Sequence, residues 1–172
     1  GTADNAWLRA FEAIVPQALH AFAPQFLVTQ QGCDSHYQDP LAHMSLSLEG
    51  QRLSYQMLHR LAHVHCEGRW IATGGGGYEW VEVVPVAWSH LLAEALDRPV
   101  DPASPTPEAF RGLVENVLKV PAPQTMGNGR DPWVRSWETG YNPDDPVDAA
   151  VLATRRAAFP HLGIDPDPDP MF

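Results

Sequence analysis

Little in this sequence is basic. Eleven Lys and Arg stand against 21 Asp and Glu, a formal net charge of −10. Neutralising phosphates takes clustered cations, so the composition disfavours a nucleic-acid partner. The acidic excess suits solubility and would equally suit a cationic substrate. Cysteine is scarce: Cys33 and Cys66 are the only two, and neither belongs to a CxxC or a Cys/His metal pattern. The N-terminus lacks a basic start followed by an apolar block, so no secretory signal is read there. Reduced thiols in a cytoplasmic protein are the expectation. No apolar run approaches the ~20 residues of a membrane helix, which argues against a membrane partner. The chain does not open on Met, which points to a fragment or a trimmed N-terminus.

Several catalytic signatures are missing too. There is no Gly-x-Ser-x-Gly elbow, which leaves Ser35 a poor nucleophile despite Asp34 and His36 on either side of it. The run Gly74-Gly75-Gly76-Gly77 is followed by Tyr78-Glu79, where a phosphate-binding loop would need Lys-Ser/Thr. The dinucleotide fingerprint fails as well, because Glu79 stands at its third glycine. His59 and His63 are four apart, but the stretch reads HRLAH and lacks the glutamate of HExxH. A solvated polar face explains that pair.

What is present is enough for one domain with a core: 172 residues, 44% hydrophobic. Trp7, Phe11, Ile14, Ala18 and Phe22 mark one helix face over residues 6–22, with Asp4 as a cap and Pro16 as a kink or break. Residues 26–29 read as a short buried strand. Helical spacing returns over 52–65, with Leu53, Met57, Leu61 and Val64 as the apolar side and Gly68 as the stop. Residues 70–73 form a second strand. Strand, loop, helix, strand is a βαβ unit, so the class is α/β with parallel strands and helices over the sheet faces. Helices are also expected over 81–96, from a Thr106-Pro107-Glu108 cap to about 120, and from Asp145-Pro146 to about 159. Residues 101–107 read as a linker and 121–132 as loop. Residues 133–137 read as a short edge strand, and 165–170, DPDPDP, as a loose tail.

Open α/β sheets bind ligands beyond the carboxyl ends of their strands. That selects two loops, residues 30–36 and 74–78. In the first, Asp34 is either a metal ligand or an Asx turn that caps the loop backbone. In the second, the glycines either let the backbone line a narrow channel or form a packed turn. A phenol projected there, that of Tyr78, can donate a hydrogen bond to a developing oxyanion.

Taken together, VTQQGCDSHYQDPLAHMSLSLEG and ATGGGGYEWVEVVPVAW resemble the zinc-dependent histone deacetylase family, with the acetoin-utilization deacetylases as the nearest likeness. Gly32-Cys33-Asp34-Ser35, Asp39, Gly50, residues 74–78 and Ala87-Trp88 carry the resemblance, over about residues 7–96. It implies a three-layer αβα fold with a mostly parallel sheet, and one Zn2+ held by two aspartates and a histidine. By position Asp34 would be one of those ligands. Tyr78 would polarise the substrate carbonyl, and Gly76 and Gly77 would contact substrate in the channel. His36, where eukaryotic members carry a hydrophobic residue, is not read as a ligand. The family's adjacent His-His pair and its other ligands have no match here. The resemblance therefore implies residues 1–98 as the C-terminal half of a catalytic domain, 99–164 as a helical extension and 165–172 as a flexible tail. The partners implied are the N-terminal half and an acetylated protein or small amine. Alone, the fragment would be inactive. A non-catalytic α/β module is the rival reading. A two-metal arginase-like hydrolase would want a second aspartate within two or so residues of Asp34, where the sequence has Cys33, Ser35 and His36.

Overall fold

A computed structural model describes residues 1–167. The elements run α1 (Asp4–Phe22), β1 (Leu27–Gln30), α2 (Leu48–Cys66), β2 (Trp70–Thr73), α3 (Val84–Ala95), α4 (Glu108–Leu113) and α5 (Pro146–Ala158). A π-helical turn, Val114–Leu118, continues α4, and short 3-10 turns sit at Trp137–Thr139 and Phe159–Leu162. β1 and β2 pair in parallel, from Leu27 against Trp70 to Gln30 against Thr73. The βαβ unit and its α/β class are therefore as expected. No helix among the described residues is long and apolar enough to cross a membrane.

α1 runs through Pro16 without a break. A proline inside a helix costs roughly 3 kcal/mol. Packing on both flanks offsets that: Phe11 and Leu19 join the core formed by Leu27, Leu58, Ala62 and Cys66, and Arg9 binds Asp148 on α5. Asp4 does not cap α1. The cap position is Ala3, and the Asp4 carboxylate instead accepts from the Ser47 N–H and Oγ–H, both at 2.7 Å. Ser47 in turn caps α2 by accepting from Gly50 N–H.

The buried face of α2 differs from the expected one. Ser54, Tyr55, Leu58, Ala62 and Cys66 face inward, whereas Val64 is 73% exposed. The small residues Ala62 and Cys66 let α2 approach α1 and β1 closely, and the larger side chains at 53, 57 and 61 remain half-buried. Gly68 ends the helix as expected, at φ 77° with its N–H on the Ala62 carbonyl. Nor is β1 a buried strand. Its helix-facing Leu27 is buried, but Val28 is 63% exposed and its register partner Ile71 50%. Parallel strands are normally covered on both faces.

The stretch after 98 folds back onto the rest. Residues 104–106 pair with 124–126 through Met126 N–H to Ser104 O and Thr106 N–H to Gln124 O. Thr106 does not cap α4, because its hydroxyl donates to the Pro123 carbonyl. Residues 133–137 form no strand. The Arg135 and Ser136 carbonyls accept from the buried Arg9 guanidinium, and the Glu12 carboxylate accepts from Ser136 and Trp137. That peptide is pinned to α1 and not to the sheet. Asp145 caps α5 as predicted, accepting from Val147 N–H at 2.8 Å. Asp167 pairs with Arg156; the expected tail beyond it, 168–172, lies outside the described residues.

Candidate active site

The two loops beyond the strands are bonded to each other along their length. Gln31 N–H donates to the Thr73 carbonyl and extends the ladder past β1. Cys33 N–H donates to the Gly76 carbonyl at 2.7 Å. Tyr78 N–H donates to the Asp39 carboxylate at 2.9 Å. The Trp88 indole on α3 donates to the Gln31 carbonyl and holds the first loop from the other side.

Close approach accounts for the glycine run. A side chain at Gly76 would collide with the Asp34 carboxylate, and one at Gly77 would meet Cys33 Sγ at 2.6 Å and Val84 at 2.8 Å. A β-carbon on Gly32 would stand 2.8 Å from Gly76 N. Such separations lie inside van der Waals contact, so a side chain at Gly32 would push the loops apart, whereas one at Gly76 would displace the Asp34 carboxylate. The Gly76 carbonyl already accepts from Cys33, which leaves its second lone pair. The peptide groups of Gly77 make no hydrogen bond among the described residues.

The Asx turn belongs to Asp39, which accepts from Leu41 N–H at 2.9 Å and Ala42 N–H at 3.0 Å as well as from Tyr78. Burial would raise the Asp39 carboxyl, but these three N–H donors override it and hold it below its ordinary value. The Asp34 carboxylate accepts no hydrogen bond among the described residues and lies against Gly76. Tyr78 is 48% exposed, and its hydroxyl has no partner among those residues. An unpaired carboxylate thus lies against a glycine two residues before a free phenol.

The neighbouring groups are not available for chemistry. Burial pushes the Cys33 thiol up to about 11, so it stays neutral in a core with Leu48, Val83, Val86 and Ala87. His36 is fully buried; its Nε2 lies 2.8 Å from Asn128 Oδ1, and its Nδ1 accepts from Gln38 N–H. Burial lowers its pKa, and both its ring nitrogens are engaged inside the fold. The Ser35 hydroxyl accepts from Gln51, with no histidine in relay. His59 and His63 bring their Nε2 atoms within 2.9 Å of each other on the outer side of α2. Among the described residues no group of three or more His, Cys, Asp or Glu comes together to hold a metal. For zinc, the donor set here is thus one unpaired carboxylate, against about three protein ligands in a working site.

Four residues of this constellation escaped the sequence reading. Asp39 stood in a motif without an assigned role. Gln51, Glu49 and Asn128 gave no local signal, because their partners are distant in sequence: Glu49 accepts from Asn128 and Gly129 N–H, and Asn128 accepts from Leu48 N–H.

Residues 1–95 match the family model described as histone deacetylase domain. The chain is 37% identical over 130 residues to the acetoin utilization protein AcuC of Bacillus subtilis (strain 168), covering 76% of this chain and 33% of that protein. It is 37% identical over 91 residues to AcuC of Staphylococcus xylosus, covering 53% of this chain and 24% of that one. Among solved structures it is similar to the HD domain of HDA15, at 24% identity and a TM-score of 0.42, covering 56% of this chain and 26% of that one. The chain thus spans a third or less of the length of these relatives.

Proposed function

Because the chain belongs to the histone deacetylase family, we propose that residues 1–98 form the C-terminal half of a zinc-dependent deacetylase domain that hydrolyses an acetyl amide to acetate and amine. The observation that carries this reading is the pair of interlocked loops, with the unpaired Asp34 carboxylate on Gly76 and, two residues along the same loop, the half-exposed Tyr78 with its hydroxyl unpaired among the described residues. Asp34 would hold the metal as one ligand, and the remaining ligands would come from residues outside this sequence. A zinc ion, when bound, supplies Lewis acidity toward a carbonyl and toward water. Tyr78 donates its O–H to the carbonyl oxygen as negative charge develops there. The Gly76 carbonyl, through its second lone pair, and the unpaired peptide groups of Gly77 orient the substrate amide. Proton transfer falls to groups outside this chain, since it has no adjacent histidines.

The N-terminal half is proposed as the partner. The exposed outer face at Val28 and Ile71 and the outer edges of β1 and β2, unpaired among the described residues, support it, because a parallel pair left open on a face and two edges is a surface for further strands. These would complete a three-layer αβα domain, with 99–164 as a family-specific extension, in the cytoplasm. The substrate would be an acetylated protein lysine or a small acetylated amine.

The test is reconstitution. The chain combined with an N-terminal half should release acetate from an acetyl-lysine peptide or an acetylated diamine. Tyr78→Phe should retain zinc and lose ~10²- to 10³-fold in turnover, the usual effect of removing one oxyanion donor. Near-wild-type turnover would take Tyr78 out of the mechanism. The absence of a metal-binding cluster among the described residues favours a second reading, a non-catalytic α/β module. That reading expects neither zinc nor acetate release in the same experiment.

A further inference from the structure

We infer that Gln51 is a positioning residue for Asp34; the inference rests on the reading of Asp34 as a metal ligand. The Asp34 carboxylate has no hydrogen-bond partner among the described residues, so its aim is set by the peptide units on either side. The first of these, and the side chain of Ser35 just beyond the second, are held by one residue. Gln51 Nε2 donates to the Cys33 carbonyl at 3.1 Å and to the Ser35 hydroxyl at 3.0 Å. Gln51 is itself fixed, being 3% exposed in the first turn of α2, whose N-terminus is anchored through Ser47 to Asp4.

The other atom of the amide argues that these two contacts are the reason for a glutamine. Gln51 Oε1 is buried and has no hydrogen-bond partner among the described residues. An apolar residue of similar volume would carry no such orphan, so the amide is a net cost to the core unless its donors are needed. Apart from Gln51, the turn at Cys33 and Ser35 is hydrogen-bonded by backbone contacts alone among the described residues. His36 N–H and Gln51 share the Cys33 carbonyl, Cys33 N–H reaches Gly76, and Leu46 N–H reaches the Ser35 carbonyl.

Gln51→Leu tests this in two measurements. In the chain alone, amide hydrogen exchange at Cys33 and His36 should speed up about 10-fold, while Leu58 and Ala62 in the middle of α2 keep their protection. Unchanged exchange at Cys33 and His36 overturns the inference. If Gln51→Leu does not fold, Ser35→Ala removes one of the two anchors and is read in the same way. In the zinc-loaded complex with the N-terminal half, Gln51→Leu should lose zinc to a chelator at least 10-fold faster at unchanged Tm, as loss of an outer support of a ligand does. Wild-type zinc retention there also overturns it. Zinc retention in Asp34→Asn is a different result, which removes the metal reading of Asp34 itself.

Discussion

Replacing Asp39 by Asn would separate the two loops at one atom. The carboxylate offers two acceptor oxygens, and both are used: Oδ1 takes Leu41 and Ala42 N–H, and Oδ2 takes Tyr78 N–H. Asparagine keeps one acceptor. With its oxygen on the Leu41 and Ala42 side, its NH2 faces the Tyr78 N–H, donor against donor. A hydrogen bond to a charged group contributes about 1.5–3 kcal/mol. Because Tyr78 is half exposed, water recovers part of this, and a loss of about 1–2 kcal/mol follows. The assay is urea unfolding with amide exchange at Tyr78, which should accelerate roughly 10-fold, since about 1.4 kcal/mol is a factor of ten. The pH dependence is fixed in sign. A carboxyl held below its ordinary value stabilises above 3.8, and that stabilisation is lost as pH falls through the lowered value. The gap between wild type and variant should therefore close in acid. An unchanged urea midpoint together with unchanged Tyr78 exchange would refute the claim that Asp39 joins the loops.

Other outcomes follow from the same contacts. Burial would raise the Asp148 carboxyl, but Arg9, the Asn142 N–H and Arg135 bring it to about 2, so Asp148→Asn should cost ~3 kcal/mol by leaving Arg9 buried without its anion. Calorimetry checks the cost, and the wild-type advantage should fade as pH drops from 3.8 through about 2. Gly76→Ala should fold, since the Asp34 side chain can swing away from the new methyl, but zinc content of the reconstituted complex should drop; full zinc content would show that Asp34 needs no such space. Burial lowers the pKa of both His36 and His90, so stability is complete above 6.5 and declines as pH falls below it. Urea midpoints that stay flat from pH 7 to 5 would contradict this.

The βαβ core was legible because its signals are local: an apolar strand, a helical period and Gly68 as the stop. The close approach of the two loops was legible for a related reason, that a run of glycines lets backbone meet backbone, as Gly32 and Gly76 do. What stayed hidden depends on long-range partners. Asp4 looks like a cap until Ser47 is placed beside it, and Thr106 looks like one until Pro123 takes its hydroxyl. The inner face of α2 was misread because hydropathy ranks Leu53 and Met57 above Ala62 and Cys66, while close packing selects the smaller pair. Residues 133–137 have strand-like side chains, but a buried arginine takes their carbonyls before any strand can.

Anomalous diffraction at the zinc edge, from crystals of the chain joined to its N-terminal half, bears most directly on the centre of this account. One peak about 2.0–2.2 Å from an Asp34 oxygen, with the Tyr78 hydroxyl turned toward it, is the expected result. A peak coordinated without Asp34, or no zinc in an active complex, would contradict it.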